Sequence, residues 1–187
     1  MSRLTICLLF ISVSCLCYAE KTVNRMILKI NNNAYTQREM ETYLLVKALQ
    51  KDKRSFLATA ENWSESLKNY KEDMLIYEEA LKLRFNFGRD TDLKETVEMI
   101  MAKVTKDKDL NPYAKRLLLI EEDYAKALSL YKNVEKYRPS LKENPSNLAQ
   151  MPPDRRVSYL ERRNYSRFYD DAFTYRVIEP SLFVSKD

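Results

Sequence analysis

The stretch WSESLKNYKEDMLIYEEALKLRF, residues 63–85, decides the fold class. Trp63, Leu67, Tyr70, Met74, Tyr77, Leu81 and Phe85 step by three or four residues through about six turns, the spacing of one helix face. At 1.5 Å per residue the helix spans roughly 35 Å, long for a compact domain. Gly88 is expected to end it, because a left-handed residue closes helices at least cost when it is glycine. It is also the only glycine in the 187 residues. Sheet-rich domains and phosphate-cradling loops depend on glycine for positive φ and close backbone approach. Neither a P-loop nor a dinucleotide fingerprint can be written with one. An all-α chain, in the main, is what this composition allows.

The residues before this helix carry two signals. Asn24 to Ile30 is β-branched and aliphatic without a helical period, which predicts a short strand. Asn31-Asn32-Asn33 makes a turn, and Thr36 with Glu39 has the spacing of a capping box. A helix from about Gln37 to Gln50 follows, with Met40, Tyr43, Leu44 and Ala48 on one face. After it, Asp92 and Glu95 start a helix with Leu93, Val97, Ile100, Met101 and Val104 inward. Asn111-Pro112 opens another, carrying Leu117, Ile120, Tyr124, Leu128, Tyr131 and Val134, and this one is expected to stop before Pro139. Residues 138–153 hold four prolines and lose periodicity, so they read as a long loop. Asp154 caps a fifth helix with Val157, Leu160, Phe168 and Ala172 as apolar marks. Phe173 to Ile178 is β-prone and is expected to pair with the first strand, giving a five-helix module whose two-stranded sheet joins the terminal segments.

The first residues, MSRLTICLLFISVSCLCYAE, read as an export signal: Arg3, then a short apolar run, then Cys17-Tyr18-Ala19 for cleavage after Ala19. That run is about 14 residues, short of the roughly 20 a membrane span needs. It holds all three cysteines, and the chain has no histidine. Residues 20–187 are therefore expected to be one domain without thiol or imidazole chemistry and without disulfides, which suits a bacterial periplasm. The triplets Asn62-Trp63-Ser64 and Asn164-Tyr165-Ser166 match the glycosylation acceptor pattern, but such triplets are common by chance.

Chemistry narrows further. Without histidine or cysteine, a zinc site would need carboxylates alone, and no metal or other cofactor is expected. Glu78-Glu79 and Glu121-Glu122-Asp123 point adjacent carboxylates in different directions around a helix, so they read as solvated faces. The chain is expected not to be an enzyme. The whole-chain charge is +5, too slight to argue for nucleic acid, and no nucleotide site can be written. Arg155, Arg156, Tyr159, Arg162 and Arg163 interleave basic and aromatic residues, a combination enriched at protein contacts. Methionines and tyrosines at or beside core spacing have two readings. They are ordinary core, or Met40, Tyr43, Met74, Tyr77, Met99, Met101, Tyr124 and Tyr131 include residues lining a groove for varied apolar segments.

The order of elements resembles a known family. Residues 23–40, VNRMILKINNNAYTQREM, are similar to the N-terminus of SurA-type periplasmic chaperones, with Asn24, Ile30, Asn31, Thr36 and Glu39 in the matching places. Met74 to Leu83 resembles a helix of that family, and Tyr159 to Ile178 resembles its last helix and closing strand. The resemblance implies a helical module that binds unfolded outer-membrane proteins without ATP. The family's parvulin isomerase domain cannot fit in residues 138–153, so isomerase activity is not implied. The expectation is a periplasmic holdase whose partners are unfolded or partly folded proteins. The alternative is an adaptor docking one envelope protein through the Arg-Tyr helix. Neither reading makes it an integral membrane protein.

Overall fold

The computed structural model describes residues 24–85, 92–143 and 153–178. The expected signal segment, Gly88, Pro145 and Pro152 lie outside the described residues. The elements are β1 (Met26–Ile30), β2 (Asn33–Thr36), α1 (Gln37–Lys51), a 3-10 turn (Arg54–Phe56), α2 (Trp63–Lys82), α3 (Leu93–Lys106), α4 (Leu110–Arg116), α5 (Glu121–Glu143), α6 (Pro153–Arg163) and β3 (Ser166–Phe168). The described chain is mostly helical, with six helices and a small antiparallel sheet in the order β2-β1-β3.

The sheet corrects two expectations. Asn31 and Asn32 form a two-residue hairpin, with Asn31 at φ 54°, a left-handed value asparagine tolerates. The chain then returns as β2, Ile30 facing Asn33 and Leu28 facing Tyr35. The strand from the other end is Ser166–Phe168, with Leu28 opposite Phe168, and not Phe173 to Ile178. That later stretch has β-prone residues but no neighbour in the ladder. It and the turn before it are fastened by side chains instead: Trp63 Nε1 donates to the Ala172 carbonyl at 2.7 Å, Gln37 Nε2 to the Arg176 carbonyl at 2.5 Å, and Arg25 to the Asp171 and Thr174 carbonyls.

Helix α1 starts where Thr36 and Glu39 place it, with both capping-box bonds formed. It is buried without a break from Met40 to Ala48. No single apolar stripe marks it, because α5, α2 and the sheet surround it. Its polar residues are therefore neutralised inside. Glu41 takes Arg116 and Gln37, and Lys47 reaches Asp73 at 2.5 Å.

Three helices close on left-handed residues that are not glycine. Arg84 (φ 52°) ends α2, with Phe85 N–H on the Ala80 carbonyl and Arg84 N–H on Leu81, the paired bonds of a Schellman motif. Leu118 (φ 51°) ends α4 in the same way, and Asp52 (φ 51°) ends α1. Arg84 therefore takes the role expected of Gly88. Leu118 splits the expected fourth helix into α4 and α5, and Arg38 holds that corner by donating to the Leu117 and Leu118 carbonyls, both at 2.9 Å.

Pro139 does not end α5, which runs to Glu143 with the proline on an exposed position. There its missing N–H breaks no buried bond. The expected loop at 138–153 is thus helical at its start, and Pro153 opens α6 at the first helical position. Helix α6 stops at Arg163, short of the expected Phe168 and Ala172, which fall on β3 and the turn beyond.

Among the described residues no helix is long and apolar enough to cross a membrane.

Candidate functional site: a tyrosine-floored cleft beside an edge strand

Strand β2, the start of α1, the second half of α2 and the first half of α5 enclose a cleft of about 590 Å³, within the range of ligand-binding pockets. All four β2 residues line one wall, and Ala127, Leu130 and Asn133 of α5 line the opposite one. Tyr35, Tyr43, Tyr70 and Tyr77 supply its aromatic floor. The rings of Tyr35 and Tyr43 stand edge-on to Tyr70, with centroids 6.1 and 5.4 Å away. Such edge contacts are favourable and fix ring directions.

The hydroxyls differ in what they reach. Tyr35 donates to Glu78 at 2.5 Å, and Tyr43 to Asp73 at 2.9 Å. Burial, and then these neighbouring carboxylates, push both phenols well above the usual tyrosine range. Burial does the same for Tyr70. All three are neutral donors at ordinary pH. The Tyr70 hydroxyl is buried with no hydrogen-bond partner among the described residues. An unsatisfied buried hydroxyl costs about 1–3 kcal/mol. Tyr70→Phe should therefore stabilise the free protein by about 1 kcal/mol, raising Tm by about 2–4 °C in thermal unfolding. A lowered Tm would show that the hydroxyl is satisfied.

The rim is charged but balanced. Arg38 pairs with Asp123 at 2.6 Å, and Lys126 with Glu39 at 2.7 Å. Burial pushes the Glu39 carboxyl up, but Lys126 and the Thr36 N–H outweigh it and hold it below the usual carboxylate range. Glu39 is thus a committed helix cap rather than a base. Tyr35, Tyr43 and Tyr70 are buried beneath the cleft, so the half-buried Tyr77 and the apolar wall of α5 are what it presents to a ligand.

The residues read from sequence as candidates are not brought to one place. Tyr77 lines the cleft half-buried, and Tyr43 lies buried beneath it. Met40 and Met74 are closed in the core, and Tyr124 and Tyr131 are also buried. Met101 is half-buried, and Met99 is 54% exposed on the outer side of α3. On α6, Arg155 and Arg162 are exposed, and Arg156 lies on the same helix. Arg163 is exposed as well, but it reaches the buried Glu79 at 2.9 Å and donates to the hydroxyl of the half-buried Tyr159.

Sequence reading missed Asn33, Ala34 and Tyr35 as site residues, because four residues between a turn and a helix cap hid a strand. The alternation of outward Ala34 with buried Tyr35 was the available signal. Glu78 and Glu79, expected on a solvated face, are buried. Glu78 holds Tyr35 and Asn33, pinning the hairpin to α2. Glu79 holds Arg163 and Asn164. Asn164 is itself fully buried, so its triplet is closed to modification in the folded protein.

Compared with protein-family models, curated proteins and solved structures, the chain matches none of them.

Proposed function

We propose that this protein is an ATP-independent holdase of the bacterial periplasm, a SurA-like helical module without an isomerase domain. In this reading it is exported by the residue 1–19 signal, and it binds unfolded or outer-membrane clients. The observation that carries the reading is the cleft: half-buried Tyr77, an apolar wall and paired rim charges suit varied apolar segments without selecting one by charge. Tyrosine supplies large contact area at small conformational cost, since it has two side-chain torsions. Binding of this kind lowers the free concentration of the unfolded client by mass action and so slows its aggregation. The N-terminal strand, hairpin and capping box support the resemblance in the order of elements, with β2 added to it.

The test is aggregation of a denatured outer-membrane porin and of an unrelated unfolded soluble protein, each with residues 20–187 and no ATP. Suppression of both at near-equimolar protein is the expected result. Suppression of neither would discard the holdase.

The exposed Arg155 and Arg162 on α6, with Tyr165 63% exposed just beyond it, favour a second reading as an adaptor for one envelope partner. Capture of a single folded protein, lost on Arg155→Ala/Arg162→Ala, would support it over the holdase.

A further inference from the structure

Among the described residues strand β2 has one edge with no strand beside it, and the hydrogen-bond alternation of the sheet shows which groups that edge presents. Tyr169 N–H bonds the Ile27 carbonyl, and Asn31 N–H bonds the Tyr165 carbonyl. The odd residues of β1 therefore turn their backbone groups toward β3, and Lys29 faces Arg167 there. Leu28 and Ile30 turn theirs toward Tyr35 and Asn33 of β2. It follows that Ala34, opposite Lys29, points its N–H and C=O away from the sheet. Ala34 is exposed, it lines the cleft, and no described residue bonds either group.

We propose that the cleft binds its ligand as an added strand: an extended, uncharged peptide segment pairs antiparallel or parallel with β2 through Ala34 and lays alternate side chains against Tyr77 and the apolar wall of α5. This inference rests on the chaperone reading and names the form in which a client is held. A free donor and acceptor on one strand residue are complemented by a peptide backbone. The two rim carboxylates and two rim cations are paired with each other, at 2.6 and 2.7 Å, so the lining carries no net charge to favour an ionic partner. Side-chain spacing along a strand then sends every second residue to one face, where Tyr77 and the apolar wall lie. Specificity would be for extended conformation and alternating apolar character, not for a sequence.

The experiment is fluorescence anisotropy with a fluorescein-labelled nine-residue peptide of alternating tyrosine and threonine, beside the same peptide N-methylated at alternate backbone amides. On the wild-type protein, N-methylation of the amides facing β2 removes the donor to the Ala34 carbonyl and crowds the edge, and should weaken binding at least about fivefold. Ala34→Pro removes the outward N–H at a position where an edge strand tolerates proline, and it should weaken the unmodified peptide as much. Ala34→Val keeps the N–H and should bind within about threefold of wild type. Circular dichroism checks that the variants fold, and the N-methylated peptide tests the wild type if Ala34→Pro does not. Equal binding of both peptides to the wild type overturns strand addition. Suppression of porin aggregation with no binding of either peptide overturns it too, and leaves the holdase standing. Failure of both assays removes both.

Discussion

Asp73→Ala should destabilise the protein by about 3–5 kcal/mol, the cost of breaking a buried ion pair from one side. Asp73 is buried on α2 and accepts from Lys47 of α1 at 2.5 Å, Arg138 of α5 at 2.5 Å and the Tyr43 hydroxyl at 2.9 Å. One carboxylate thus ties three helices together. Arg138 also contacts Glu135 and Glu72, so it keeps partners when Asp73 is removed. Lys47 does not have that recourse. It is 9% exposed, with Tyr43 and Phe56 rings near its ammonium. The cost therefore falls on Lys47, and it should be recovered largely in a Lys47→Met/Asp73→Leu double variant, since apolar replacement of a buried pair is often neutral. Urea unfolding checks both. A single-variant cost below about 1 kcal/mol would place the pair in solvent.

Alkaline pH should unfold the protein in one cooperative step near pH 11–12. Tyr35, Tyr43 and Tyr70 all have folded pKa values raised by burial, the first two also by their carboxylate partners. Tyr124 is pushed up to about 12. The sign follows from proton counting. Below the unfolded value of about 10 both states keep the proton and no stability is lost. Above it the unfolded chain sheds protons that the folded chain retains, so stability falls as pH rises toward the folded values. Each such phenol contributes about 1.4 kcal/mol per pH unit, and Tyr35, Tyr43 and Tyr70 together about 4. A domain with the usual 5–15 kcal/mol is exhausted within a few units. Absorbance at 295 nm should therefore rise together with loss of far-ultraviolet circular dichroism. Smooth ionisation near pH 10 with the helices intact would contradict the buried floor.

The helices were legible where one face repeats. Trp63 to Leu81 could be read as α2 because its apolar residues keep a period, and Thr36 with Glu39 marked the start of α1 to the residue. What could not be read is how α1 sits. Glu41, Thr42 and Lys47 look like a solvated face until Arg116 and Asp73 are placed opposite them by distant parts of the chain. The same reason hid Glu78 and Glu79. Local propensity misled at the sheet, where Phe173 to Ile178 has strand-like residues and Ser166–Phe168 has the partner. Arg84 and Leu118 show a related limit: left-handed closures on ordinary side chains leave no mark in a chain with one glycine. Of the cleft, Tyr43, Tyr70 and Tyr77 stood at helical spacing in the sequence, but the strand that makes their surroundings a site did not.

Clients held at the cleft beside β2 should cover the Ala34 amide. Amide hydrogen exchange tests it most directly, read at Ala34 in residues 20–187 alone and then with a denatured porin held in solution by the protein. The Ala34 amide, pointing outward and unbonded, should exchange fast in the free protein and at least about tenfold more slowly with client, as a bonded edge amide does. Unchanged exchange at Ala34 while porin aggregation is suppressed would move client binding away from this cleft.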